Sequence, residues 1–384
     1  MSVALLSRKH VDEFVSSIFD TDLHAKRVGS LAAATLGVVR SGSLCVHAIG
    51  HGLAKADSLN SKHAIKQVDR LLSNTGLEMN ALFSLWVPFV VGVRPEIVVA
   101  LDWTDFDHDG QSTLALHLLT SHGRSTPLLW KTVKKANLRG RRNSYEDCLL
   151  TQLRDSLPSG VKVTVLADRG FGDQKLYRLL MEDLGFDFVI RFKGGIKVIS
   201  SDEEERTGAE WVPPTGRATI LRGVRVTDSA FPLPAAVFVK ARAMKEPWCL
   251  ATSHGSKSAS ELVQLYGRRF TIEEGFRDTK DIRFGMGLSA TRIGDPDRRD
   301  RLLLIGALAS SLLTLLGSAG ESLGMDRMLK ANTSKKRSHS LFTQGHHYYD
   351  AIPTMAEEKL NALITAFFDL VKQHAVFQQV FGAI

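Results

Sequence analysis

Cysteine is scarce: Cys45, Cys148 and Cys249 are the three in 384 residues. They form no CxxC pair and no cluster with histidine. That excludes a disulfide framework and a zinc ribbon, and leaves the reduced thiols of a cytoplasmic protein. Among the 13 histidines, His346-His347 reads as a surface loop rather than a zinc site. No internal repeat and no long low-complexity linker is present, which excludes a solenoid and a disordered spacer. The apolar run within Met1–Phe14 has no basic stretch before it, so no signal peptide is expected.

What is present is a large apolar fraction, 44%, with an ordinary 23% of charged residues. This is enough to bury a core and to build more than one domain. The formal charge of +8 favours a polyanionic partner, nucleic acid first. Residues 302–320 carry no charge, a length that would cross a bilayer. Three glycines and several Ser and Thr interrupt the stretch, and the rest of the chain is soluble in character. It reads as a helix buried on all sides, with no membrane partner.

Residues 8–75 read as short helices. The segment Lys62–Leu72 places apolar residues at helical spacing with basic residues between them. Two readings stay open for this module: a reader of DNA ends, or a helical cap on the main domain. At residue 96 the pattern changes to strands: 96–101 ending at Asp102, then 112–120 and 126–132. A helix fits 145–157, stopped by Pro158, Ser159 and Gly160. A strand over 161–167 ends at Asp168, followed by a helix over 173–184 and a strand over 186–192. This order is the layout of a ribonuclease-H-like α/β domain. Residues 193–256 break the alternation with short strands at 195–200, 217–226, 235–240 and 248–252. Helices are then expected over 258–280, 302–316 and 354–373.

Asp102 and Asp168 each stand at the end of an expected strand, where open α/β sheets meet their ligands. With a third carboxylate from a helix they supply hard oxygen donors for Mg²⁺, Mn²⁺ being a substitute. Two such ions about 4 Å apart suit an in-line phosphoryl displacement. Asp105, Asp107 and Asp109 read as turn residues and Asp173 as a helix cap. The third acid is Glu273. On a continuous helix at about 100° per residue, Tyr266, Arg269, Glu273 and Lys280 fall within about 60° of one another. That stripe is a carboxylate flanked by cations, which is either a surface ion-pair row or a phosphate-binding face. The run 131–142, with Lys131, Lys134, Lys135, Arg139, Arg141 and Arg142, is either a solvated loop or a second phosphate contact. So is Lys335-Lys336-Arg337. Trp103 reads as a packing residue, and so, on its residues alone, does Trp248.

The spacing Y-x2-R-x3-E-x6-K over Tyr266, Arg269, Glu273 and Lys280 resembles the signature of the insertion-sequence-four family of bacterial transposases. The surroundings Val-Ala-Leu-Asp102-Trp-Thr-Asp and Val-Leu-Ala-Asp168-Arg-Gly-Phe match as well. So do Lys-Glu-Pro-Trp248-Cys-Leu-Ala-Thr, the segment from Ile65 and the segment from Lys330. The resemblance implies Asp102, Asp168 and Glu273 as catalytic and metal-holding acids with two ions, and Tyr266, Arg269, Lys280 and Trp248 as DNA contacts. It implies cut-and-paste transposition through a DNA hairpin, with Trp248 stacking a flipped base. The partners would be double-stranded DNA, as terminal inverted repeats and target, and a second copy of the chain.

The expected organisation is a helical N-terminal DNA-end-binding region (1–85) and the first part of the catalytic domain (86–192). A β-rich insertion subdomain (193–256), the rest of the catalytic domain (257–322) and a C-terminal region that is a candidate for dimer contacts (323–384) follow. Two competing readings are a nuclease of the same fold that only hydrolyses DNA, and a non-catalytic DNA-binding descendant. Three retained acids argue against the second, since a binder needs no metal-holding carboxylates.

Overall fold

A computed structural model describes residues 8–120, 124–283 and 285–372. The apolar residues before Arg8 and the tail beyond Lys372 lie outside the described residues. Five helices come first: α1 (Arg8–Phe19), α2 (Ala25–Ser41), α3 (Val46–Asp57), α4 (Ser61–Leu72) and α5 (Met79–Val91). Local chemistry sets their ends. Gly42, at φ 61°, closes α2 and returns its N–H to Val38, a conformation that costs glycine no Cβ clash. The Asn60 side chain accepts from the Lys62 N–H and caps α4. Helix α4 turns Ala64, Val68, Leu71 and Leu72 inward and leaves Lys62, His63, Lys66 and Arg70 exposed. The sequence reading stopped short of α5, whose apolar run MNALFSLWVPFVV lacks amphipathic contrast because it is buried among neighbours. Its Trp86 indole donates to the Pro127 carbonyl at 2.9 Å and so ties the helical layer to the sheet.

Among the described residues the sheet has ten strands. They are β1 (Glu96–Phe106), β2 (Gln111–Leu118), β3 (Thr126–Lys134), β4 (Lys162–Ala167), β5 (Asp187–Phe192), β6 (Lys197–Ile199), β7 (Glu205–Thr207), β8 (Thr219–Val226), β9 (Phe231–Val239) and β10 (Trp248–Thr252). Their spatial order is β3-β2-β1-β4-β5-β10-β9-β8-β6-β7. The pairs β1–β4 and β4–β5 are parallel, and the other pairs are antiparallel. Helix α6 (Arg142–Ser156) makes the crossover from β3 to β4, and α7 (Gln174–Arg178) leads towards β5. The strands within 193–256 extend the same sheet through β10 rather than pairing only among themselves.

Beyond β10 come α8 (Ala259–Gly267), α9 (Thr271–Lys280), α10 (Pro296–Ser322), α11 (Leu341–Ala351) and α12 (Glu357–Lys372). Helix α10 contains the uncharged stretch. By length and hydropathy it would cross a membrane, but 83% of its apolar window is buried in the fold, against α2, β3, α11 and α12. It meets α11 backbone to backbone. A Cβ on Gly317 would collide with the Leu341 carbonyl, and one on Gly345 with the Leu313 carbonyl.

Candidate active site

Asp102 does not end its strand. Strand β1 continues to Phe106 because β2 pairs with it along that whole length, Asp102 facing Ala115 and Phe106 facing Gln111. What stops is the parallel neighbour: the last β1–β4 pair is Leu101 with Ala167. Asp102, within β1, and Asp168, just after β4, therefore each come one residue after the last β1–β4 pair, where the β1 edge loses its parallel partner and opens a crevice. Asp168 caps the turn Arg169–Phe171 by accepting from the Gly170 N–H at 2.7 Å. Asp173 caps α7 through the Lys175 N–H.

Helix α8 starts with a capping box between Ser258 and Glu261. The expected single helix over 258–280 is two. A tight 3₁₀ turn over Arg268–Phe270 separates α8 from α9, so the continuous-helix stripe does not describe the four signature residues. Tyr266 is buried and Arg269 is 6% exposed, whereas Glu273 in the first turn of α9 is half-exposed. The turn aims Arg269 between two acids. Its guanidinium donates to Asp102 Oδ2 at 3.2 Å and to Glu273 Oε1 at 2.9 Å. Its Nε is buried with no hydrogen-bond partner. Helix α9 is seated by Ser125, which donates to the Thr271 carbonyl at 3.3 Å. The close approach of Gly275 to Ser125 and His117 seats it further.

Asp102 is the electrostatically stressed member. Burial pushes its carboxyl up to about 6. Arg269 and the Trp103 N–H pull it down, and Asp168 and Glu273 push it further up. One carboxyl thus senses the other two. Among the described residues, however, no three His, Cys, Asp or Glu side chains stand close enough to share an ion. Arg269 supplies the positive charge between Asp102 and Glu273 instead. The donor set, three carboxylates and no sulfur or imidazole, fits hard divalent cations.

The other signature residues are distributed around this point. Lys280 Nζ donates to Thr104 Oγ1 at 3.1 Å and to the Asp105 carbonyl at 2.7 Å. Burial lowers the pKa of this ammonium. It therefore braces β1 and is not a free surface cation. Trp248 is half-buried. Its ring meets Tyr266 edge-on at 4.9 Å and lies 6.0 Å from Phe270.

The basic run divides. Lys131 reaches Asp297 at 3.0 Å and Asp300 at 3.6 Å, and Lys135 reaches Asp105 at 2.9 Å and Asp107 at 2.6 Å. Asp105, expected in a turn, lies instead within β1 opposite Ser112, and Asp109 pairs with the buried Arg299. Arg142 instead lies over the Trp103 ring, 5.0 Å from its centre. The sequence reading overlooked Glu146, a buried acid that accepts from the Trp103 indole at 2.8 Å.

A family model described as transposase DDE domain matches residues 94–312, which include all three acids and the signature residues. No curated protein matches the chain. The chain belongs to the transposase DDE domain family, whose members cut and join DNA strands and generally use divalent metal ions.

Proposed function

We propose that the chain is the cut-and-paste transposase of a bacterial insertion sequence, in the insertion-sequence-four family and most like the transposase of insertion sequence ten. The reading extends to a ribonuclease-H-like catalytic domain with a β-rich insertion, acting in the cytoplasm. The observation that carries it is the placement of Asp102 in β1 and Asp168 directly after the adjacent parallel strand β4, with Glu273 joined to Asp102 through Arg269. Asp102, Asp168 and Glu273 would hold two Mg²⁺ ions, or Mn²⁺ in their place. When bound, these ions activate the attacking oxygen and stabilise the leaving one.

The protein's own groups do the positioning. Arg269 is shaped to grip a phosphate bidentately once it leaves the carboxylates. Trp248 offers a half-open aromatic face at the junction of β10 and α8, suited to a base displaced during hairpin formation. The reaction order is a nick at the element's end, attack of the freed 3′-hydroxyl on the opposite strand, opening of that hairpin, and joining to target DNA. The exposed cations of α4 suit the reading of terminal inverted repeats. The active assembly is a homodimer on two ends, with each subunit's N-terminal helices on the end that its partner cuts and residues 323–384 contributing contacts.

A supercoiled plasmid carrying the element with its own ends, incubated with Mg²⁺, tests this. The wild type excises the element and produces hairpin ends. Asp102→Asn, Asp168→Asn and Glu273→Gln each lose all detectable cleavage while still binding the ends. Cleavage without hairpins or joining would mark a plain nuclease, and binding without cleavage by the wild type would mark a DNA-binding protein.

A further inference from the structure

Beside the acids lies a cleft of about 340 Å³, lined by Asp102, Asp168, Trp103, Glu146, Asp105 and Arg142 among others. Four of these six residues are acids. A DNA strand entering such a cleft meets repulsion unless a cation receives its phosphate. Arg142 is the cation in that lining. Among the described residues no carboxylate stands within ion-pair distance of it, although Lys131 and Lys135 of the same run are paired with acids.

Its setting is built rather than incidental. The guanidinium carbon lies over the Trp103 ring, a cation–π contact that uses none of the guanidinium N–H groups a phosphate would take. Trp103 is held at two other atoms. Its indole N–H donates to Glu146, and its backbone N–H donates to Asp102 Oδ1 at 2.8 Å. One residue thus links the cation, the buried acid behind it and a reacting-site carboxylate in front of it.

We propose that this cleft is a phosphate subsite: Arg142, stacked on Trp103, holds the backbone phosphate next to the one that reacts, and Trp103 and Glu146 are its positioning residues. The proposal rests on the transposase reading and adds to it a contact outside the Tyr-Arg-Glu-Lys signature. Because Trp103 also donates to Asp102, the subsite fixes where the strand lies relative to that carboxyl.

The test combines Arg142→Ala and Arg142→Lys with end DNA in which single phosphates are replaced by neutral methylphosphonates. In the wild type, neutralising one phosphate adjacent to the cleavage point weakens end binding about tenfold, the size of one charge-assisted contact. In Arg142→Ala the binding is already weaker by that factor, and the same replacement has no further effect. The salt slope of binding falls by about one. Arg142→Lys restores the slope but only part of the affinity. Unchanged affinity, slope and phosphate profile in Arg142→Ala would overturn the subsite. Those binding measurements need no cleavage, so their failure is separable from failure of the transposase reading, which is read from Asp102→Asn in the cleavage assay.

Discussion

The two halves of the sheet are built on different terms. In β3-β2-β1-β4-β5 both faces are covered, and β2 is buried at each of its eight positions. Even its polar side chains are satisfied inside, Thr113 with Thr132 at 2.8 Å and His117 with Ser125 at 2.9 Å. Beyond β9, itself buried at seven of its nine positions, strand β8 buries only Val224 and Val226, and β7 buries nothing. Asp102 and Asp168 stand in the half that is packed on both faces. The outer half is covered on fewer sides and offers surface. Precision of placement and availability of surface have thus been assigned to opposite ends of one sheet.

The sharpest way to break this contrast is thermodynamic. Leu116→Ala in β2, between Leu101 and Leu129, should lower the unfolding free energy by about 2–5 kcal/mol. The half-buried Ile220→Ala in β8 should cost about 1 kcal/mol. Denaturant titration measures both, and equal losses would show that the two halves form one evenly packed body.

Trp248 sits on the seam. Unstacking a base costs a few kcal/mol, of which an aromatic platform returns about 1–3 kcal/mol. Trp248→Ala should therefore slow hairpin formation by about 10–100-fold and nicking far less. On a labelled end, nicked product accumulates. If both products fall together, Trp248 serves only to pack against Tyr266.

The smallest effect concerns Asp300, fully buried beneath β3, where it accepts from the Thr132 N–H at 2.9 Å. Burial pushes its carboxyl up to about 7, with Lys131 opposing. A pKa raised in the folded state stabilises below the unfolded value near 3.8, and that contribution is lost as pH rises through about 7. Asp300→Asn keeps an acceptor for Thr132 and carries no charge. Its melting temperature relative to wild type should rise by a few degrees between pH 5 and pH 8. A gap that stays constant with pH would place the titration elsewhere.

How much was legible follows the same division. The central strands announced themselves as continuous apolar runs ending in aspartate, because a strand buried on both faces has no alternative composition. Asp102 looked like a strand end because the sequence registers the change from apolar to polar, whereas hydrogen bonding to β2 carries the strand on to Phe106. The break at Arg268–Phe270 was invisible, since one 3₁₀ turn leaves no mark on apolar spacing. That break explains why the signature residues differ in burial. Lys280 illustrates the general loss: charge is read from sequence, but whether it is spent internally depends on strand β1, far away in the chain. Glu146 was missed because one acid on a helix is indistinguishable from solvent-facing charge until its partner Trp103 is in place.

The glycine contact between α10 and α11 has a consequence in time. As the chain leaves the ribosome, α10 emerges before the helix that covers its glycine flank. A premature stop between the two would release a protein with its three acids and its N-terminal helices complete, but with the uncharged stretch of the 27-residue α10 uncovered on that side. Such a fragment is suited to aggregation and proteolysis rather than to occupying DNA ends. The segment after residue 322, which includes none of the three acids, thereby bears on whether a truncated chain persists in folded form.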